Sequence, residues 1–232
     1  FTDDFVLCLG AGIKADSNLV VTTSIEQCHK KGELTILQEG KWRSVGDKQT
    51  YSGEEQRFFH NQMGYILWNN PKNCVAEVNH RTGQWHDVMQ MYRPKDVEGD
   101  IVSIYLEHGV SPQKSTYQYL MLPTTNQEKT KLFDLSAIQL IRNDEVAQAV
   151  YTKKNSTWWI TAYRPLKITL TSGCPLEILT PGIYMLQETK GKYKLNCADP
   201  THLQEIIKLK FKNKDIIVPL LEEKGQTVSV NL

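Results

Sequence analysis

The sequence has no long apolar run. No stretch approaches the roughly 20 consecutive apolar residues that a membrane-spanning helix needs, and no basic-then-apolar leader opens the chain. An excess of one charge is missing as well. Lys and Arg number 27 against 26 Asp and Glu, a net +1, so no global field draws the chain to nucleic acid or to an anionic membrane. A polyanionic ligand requires a local basic patch instead. Paired cysteines are also lacking: Cys8, Cys28, Cys74, Cys174 and Cys197 are odd in number and far apart, which excludes a disulfide framework and CxxC metal knuckles. They read as free thiols, with Cys8 and Cys197 behaving as small buried hydrophobes inside apolar runs. Heptads, low-complexity tracts and solenoid repeats are absent.

Alternation at period two takes the place of helical periodicity. In 232 residues, 40% of them hydrophobic, there is enough chain for one large or two modest domains with a real core. The densest stretch runs from Phe58 to Pro123: FFHNQMGYILW, NHRTGQWHDV, then IVSIYLEHGVSPQKSTYQYLMLP. Each block pairs apolar alternation with a punctuating Gly or Pro, the pattern of strands in a large antiparallel sheet. Cys74 to His80 alternates in the same way, and Asn69 to Asn73 reads as a turn because Asn tolerates left-handed backbone and Pro cannot donate to a ladder. Upstream, the charged and Gly-rich GKWRSVGDKQTYSGEEQ reads as an exposed hairpin and loop. Residues 124–136, TTNQEKTKLFDLS, form the clearest polar break and carry local helical character. A domain boundary is expected just beyond, between 141 and 142. After it, VAQAVY, TWWIT, LKITL, LEIL, IYML, YKLNCA, EIIKLKF, DIIVPL and TVSVNL follow at even spacing between turn signals, as in an all-β sandwich.

Several residue sets invite a chemical reading. Gly10, Gly12 and Ala15 satisfy a G-x-G-x-x-A dinucleotide fingerprint, but the motif demands a following helix, and Val20, Val21, Thr22 and Thr23 offer a β-branched run. His60, His80, His86 and His108 fall on separate strand segments without the fixed offset of a metal site, and His108 before Gly109 reads as a structural histidine bonded to a loop. Trp85-His86-Asp87 resembles an oriented base, yet if it lies on a strand its neighbours face opposite ways. No G-x-S-x-G elbow is present. Trp42, Tyr65, Trp68, Trp85, Trp158 and Trp159 are candidate platforms for sugar rings, or core residues. Arg43, Arg57, Arg81 and Arg93 are candidate forks for uronate or sulfate. Trp158 and Trp159, adjacent on a strand, cannot share one core, so one of them packs at a domain junction or is exposed. Lys153-Lys154, Lys190 to Lys194 and Lys208 to Lys214 read as solvated strand edges and hairpins, and the sequon Asn155-Ser156-Thr157 carries no assigned function.

The order of HNQMGY, RTGQWHDV and LEHGVSPQKSTYQYLMLP, with FTDDFVLCLGAGI upstream and EVAQAV and ADPTH downstream, resembles the C-terminal half of polysaccharide lyase family 8. That family contains chondroitin AC, hyaluronate and xanthan lyases. The resemblance implies an all-β chain: the later part of a large antiparallel, supersandwich-like β-sandwich over 1–141, then a smaller C-terminal antiparallel β-sandwich over 142–232. It also implies a secreted or periplasmic enzyme that cleaves uronic-acid glycosaminoglycans by β-elimination. The family's catalytic Asn, His, Tyr and Arg belong to an N-terminal helical toroid of the same polypeptide, and none of them is placed on this chain. The implied partners are therefore an acidic polysaccharide and that toroid, not nucleic acid or membrane, and no catalytic, cofactor or metal residue is assigned here. Where the family commonly shows His-Asp-Gly before Gly-Tyr, this chain has His60-Asn61-Gln62-Met63, keeping Gly64 and Tyr65. The alternative is a non-catalytic carbohydrate-binding or structural β-protein.

Overall fold

The computed structural model describes residues 2, 4–69, 73–220 and 225–232. Two compact units emerge, Phe1–Phe133 and Asp134–Leu232. The first runs β1 (Val6–Ile13), β2 (Val20–His29), β3 (Thr35–Gln38), β4 (Lys41–Ser44), β5 (Gln49–Tyr51), β6 (Glu55–His60), β7 (Met63–Trp68), β8 (Cys74–Gln84), α1 (Trp85–Val88), β9 (Asp96–Val110), β10 (Ser115–Leu122) and α2 (Gln127–Leu132). All pairings are antiparallel and build two sheets, β1-β10-β7-β6-β3-β4 and β2-β9-β8-β5. Alternation decides what each strand buries. Val102, Ile104 and Leu106 of β9 join Cys74 and Ala76 of β8 in the core, against Phe58, Tyr65 and Leu67 from the other sheet. Of the turn expected over 69–73, residues 70–72 lie outside the described residues, while Asn69 takes φ 49°.

No helix follows Ala15. Gly10 and Gly12 lie inside β1, where the register against β10 shifts between Gly10 and Ile13. A Cβ on Gly10 would stand 2.2 Å from a ring carbon of Tyr117, so the glycine answers a close approach within the sheet. The short α2 is held at both ends. Asn126 Oδ1 accepts from the Lys129 N–H at 2.8 Å, and the Arg57 guanidinium donates to the carbonyls of Thr130, Lys131 and Phe133 at 2.7, 2.8 and 3.1 Å.

The second unit opens with a 3-10 turn over Leu135–Ala137. It continues as β11 (Ile138–Asn143), β12 (Ala147–Thr152), β13 (Thr157–Ala162), β14 (Leu166–Thr169), β15 (Pro175–Ile178), β16 (Gly182–Thr189), β17 (Lys192–Ala198), β18 (Ile206–Phe211), β19 (Lys214–Pro219) and β20 (Val228–Asn231). Sheets β11-β12-β13-β16-β17-β20 and β14-β15-β18-β19 enclose one core around Trp158, Ile160, Tyr184, Leu186, Leu195, Ile207 and Leu209. The division falls between Phe133 and Asp134 rather than at 141/142, because β11 pairs with β12 from Ile138 to Asn143 and so belongs wholly to the second sandwich.

Trp158 faces inward and is fully buried, while Trp159 on the opposite face is half-buried, its indole N–H donating to Thr152 Oγ1 at 3.1 Å. The ADPTH segment is a capped loop. The Asp199 carboxylate accepts from the N–H groups of Thr201, Leu203 and Gln204 and from the Thr201 hydroxyl, all within 2.9 Å. Burial pushes its pKa up, but these donors outweigh burial and hold it at about 2.

Candidate functional site

Three polar pairs line the inside of the first sandwich where β2 crosses β7 and β9. A bulge at Ile25, between Ser24 and Glu26 in the register with β9, turns Glu26 inward, and the Tyr65 hydroxyl donates to its carboxylate at 2.5 Å. Thr23 Oγ1 and His108 Nε2 are 2.7 Å apart, so buried His108 is tied to the neighbouring strand β2 through that nitrogen. His60 completes the row. The Lys31 N–H donates to its Nε2 at 3.1 Å, which puts the proton of the neutral ring on Nδ1, facing Cys28 Sγ at 3.7 Å.

This row is not equipped for nucleophilic chemistry. Burial and the Glu26 charge push the Cys28 thiol up to about 11, far from a thiolate. Burial also drives the Tyr65 hydroxyl well above its ordinary value, reinforced by its bond to Glu26, and lowers His60 despite the opposing Glu26. A histidine lowered on folding binds its proton more readily in the unfolded chain. Its contribution to stability is therefore full above about pH 6.5 and lost as pH falls through the lower folded pKa. Wild-type protein is expected to lose unfolding free energy between pH 7 and 5 more steeply than His60→Gln in urea titrations; parallel pH profiles would exclude this role for His60.

The exposed candidate is the tip of the long β8–β9 hairpin. Gln84 ends β8 opposite Asp96, and between them α1 and the following turn carry Trp85, His86, Val88, Met89, Met91 and Tyr92. Sequence alternation places Trp85-His86-Asp87 on a strand; the chain instead forms one helical turn, with the Met89 N–H donating to the Trp85 carbonyl at 2.9 Å. A β-ladder cannot continue there, because the chain must reverse into β9. Trp85 and Tyr92 are 58% and 52% exposed with ring centroids 6.5 Å apart, and His86 Nδ1 is fixed on the Tyr92 carbonyl at 2.8 Å. Two large aromatic rings side by side in water form a platform of the kind pyranose C–H faces pack on. Exposed Arg81 and Arg93 flank it, and neither forms an ion pair among the described residues.

The other candidates disperse. His80 sits down the same hairpin, bound by Asp100 at 3.0 Å and Glu98 at 3.7 Å; the Asp100 hydrogen bond is the main cause of its raised pKa. The four histidines thus keep separate partners. Tyr65 and Trp158 are core residues, Trp42 packs edge-on against Phe59, Trp68 ends β7 half-buried and Trp159 is tied to Thr152. Arg43 pairs with Glu39 at 2.8 Å, and Arg57 is absorbed by the α2 carbonyls. Cys8 is half-buried rather than buried, while Cys74 and Cys197 are buried, and all five thiols are free. The lysines of 190–194 and 208–214 do not chiefly guard edges. β17 lies between β16 and β20, and β18 between β15 and β19, so Lys192, Lys194 and Lys208 stand on interior strands.

Two family models match the chain in succession: the super-sandwich domain of polysaccharide lyase family 8 over residues 1–133, and the C-terminal β-sandwich domain of that family over 139–208. The chain belongs to polysaccharide lyase family 8. Among curated family-8 relatives it is 25% identical to chondroitinase-AC of Pedobacter heparinus over 215 residues, covering 92% of this chain and 30% of that protein. It is 27% identical to a hyaluronate lyase of Thermasporomyces composti over 156 residues, covering 64% of this chain and 20% of that protein. In fold it matches a chondroitinase AC lyase solved with oligosaccharides, with TM-score 0.87 and 22% identity over all of this chain and 35% of that one. A Paenibacillus xanthan lyase superposes with TM-score 0.84 and 17% identity over 99% of this chain and 25% of that one. This family-8 chain therefore spans about a third or less of the length of these relatives.

Within the family-8 sandwich, the His60-to-Tyr65 motif is the β6–β7 hairpin. Asn61 and Gln62 occupy its two-residue turn with φ 44° and 64°. An Asn suits such a left-handed turn position as well as an Asp does, so losing the acid leaves the hairpin intact. Tyr92 and the helical turn beneath it were not legible in advance. The available signal was a run of apolar residues, Val88, Met89, Met91 and Tyr92, where a hairpin tip ordinarily carries polar ones.

Proposed function

We propose that this chain is the β-portion of a polysaccharide lyase that cleaves uronic-acid glycosaminoglycans of the chondroitin or hyaluronan type by β-elimination. The observation that carries the reading is the in-order match to both β-domain models of the family, together with relatives named as chondroitinase and hyaluronate lyase. In such an elimination the C5 proton of the uronate is removed, the adjacent carboxylate is neutralised, and the 4-linked oxygen leaves with a proton. Acid, base and charge-stabilising groups must sit within hydrogen-bond reach of those atoms. In this proposal those groups stand on a helical toroid of the same polypeptide, and the enzyme works outside the cytoplasm, secreted or periplasmic. The present chain supplies a rigid scaffold and one wall of the sugar cleft, with Trp85 and Tyr92 as its platform and Arg81 and Arg93 as cations for carboxylate or sulfate.

The test is absorbance from unsaturated uronate. The polypeptide carrying this chain and its toroid, mixed with chondroitin sulfate or hyaluronan, is expected to generate the chromophore, and the 232-residue chain alone to generate none. Activity of the isolated chain, or a silent toroid-containing enzyme, overturns the assignment. For the platform, Trp85→Ala with Tyr92→Ala is expected to change unfolding free energy by less than about 0.5 kcal/mol, since both rings are exposed. The same pair should lower kcat/KM by about tenfold, roughly 1.4 kcal/mol, the scale of stacking a sugar on two rings. Unchanged turnover would remove the hairpin tip from the cleft.

A further inference from the structure

We infer that the second sandwich carries its own docking surface for an acidic polysaccharide, at the end formed by the β16–β17 and β18–β19 turns. The choice of ligand rests on the functional reading above; the surface itself does not. Both turns place two residues in left-handed backbone, Lys190 and Gly191 at φ 51° and 78°, Lys212 and Asn213 at φ 49° and 62°. Tight two-residue reversals of this kind hold the flanking Lys192 and Lys214 at the strand starts.

The two turns are neighbours in space. Lys212 Nζ lies 4.5 Å from the Tyr193 ring centroid and 5.2 Å from that of Phe211, and those rings are themselves 4.8 Å apart. The Tyr193 hydroxyl meets Ser172 Oγ at 3.5 Å, and the Lys212 N–H donates to the Pro175 carbonyl at 3.2 Å, so the β14–β15 turn closes the same end. Lys190, Lys192, Lys212 and Lys214 are all exposed there.

Like charges gathered with few counter-ions are costly to keep unless something uses them. Of the seven lysines between 190 and 214, Lys210 alone forms an ion pair among the described residues, with Asp215 at 3.9 Å. Glu188, opposite Tyr193 in the ladder, is an acid at the aromatic centre of the patch. Protection of sheet edges accounts for Lys214 on β19, but Lys192 stands on an interior strand. A local basic surface on a chain of net charge +1 points to a ligand met at close range, one carrying an anionic group at each repeat.

Binding is read by calorimetric titration of the 232-residue chain with size-defined chondroitin sulfate oligosaccharides at several salt concentrations. Saturable binding is expected, weakening with salt. Replacing Lys190, Lys192, Lys212 and Lys214 together by Gln should reduce affinity at least tenfold and flatten the log–log salt dependence, by roughly one unit for each lysine–anion pairing removed. Lys41→Gln with Lys129→Gln, which removes charge from the first unit, should leave binding unchanged. Equal loss from the first-unit lysines, undiminished binding in the four-lysine variant, or equally tight binding of duplex DNA at the same salt each overturns the proposal. The outcome is separable from the lyase assignment, because a chain that binds chondroitin sulfate through this end can belong to an inactive polypeptide, and an active lyase can lack the site.

Discussion

Gly64→Ala is expected to destabilise the first sandwich by about 3 kcal/mol, at the upper end of ordinary overpacking costs. A methyl on Gly64 would sit 2.4 Å from Oγ1 of Thr130, 2.9 Å from its Cγ2 and 3.2 Å from its Cβ. Neither side can yield. Gly64 is laddered to Phe59 on one flank and Leu122 on the other, and Thr130 is fully buried with its hydroxyl donating to the Asn126 carbonyl at 2.8 Å. Thr130→Ala removes the two closest atoms and leaves only the 3.2 Å approach, so Gly64→Ala in that background should cost less than half as much. Urea unfolding of the two single variants and the double variant gives the coupling directly. A Gly64→Ala protein of wild-type stability, or one equally damaged in both backgrounds, would show that α2 does not pack on β7 as described.

Trp158→Ala is expected to cost the second sandwich about 3–5 kcal/mol, the range for deleting a fully enclosed aromatic ring. The indole is completely buried and lies 4.7 Å from the Tyr151 ring, in a core whose other members come from both sheets. Its N–H has no acceptor among the described residues. Trp158→Phe therefore removes an unpaired buried donor along with the volume, and should cost clearly less than the alanine change. Trp159→Ala, one residue along on the half-buried face, should cost at least about 2 kcal/mol less than Trp158→Ala, because only a partly covered ring is lost. Equal losses at 158 and 159 would contradict the observed facing of β13.

Period-two alternation made the architecture legible, since it is a local property of each strand. β12 to β20 coincide with the nine apolar runs, and the polar break at 124–136 does contain α2. The boundary was misplaced because Ile138 to Asn143 reads equally well as the last strand of one sandwich or the first of the next; only its pairing with β12 decides. The inner polar row was hidden for a related reason. Glu26 faces inward only because one bulged residue reverses the alternation of β2, and nothing in VVTTSIEQCH announces that bulge. Gly10 and Gly12 show the reverse case, a motif read correctly as strand because the β-branched residues after it forbid the required helix. For the sugar-facing candidates, sequence supplied the residue types but not their exposure. Of six aromatics singled out, Trp85 alone presents its ring to solvent as a platform, and it does so beside a tyrosine that strand reasoning passed over.

The Arg57 guanidinium has a practical corollary for dissecting the polypeptide. Because it clasps the carbonyls of Thr130, Lys131 and Phe133, an N-terminal piece ending at Phe133 retains its own latch, whereas one trimmed to 129 would forfeit every acceptor that arginine uses in α2. A piece ending at 141 errs in the other direction. It carries off most of β11 and leaves the recipient fragment with β12 bare along one side, an invitation to strand exchange between copies.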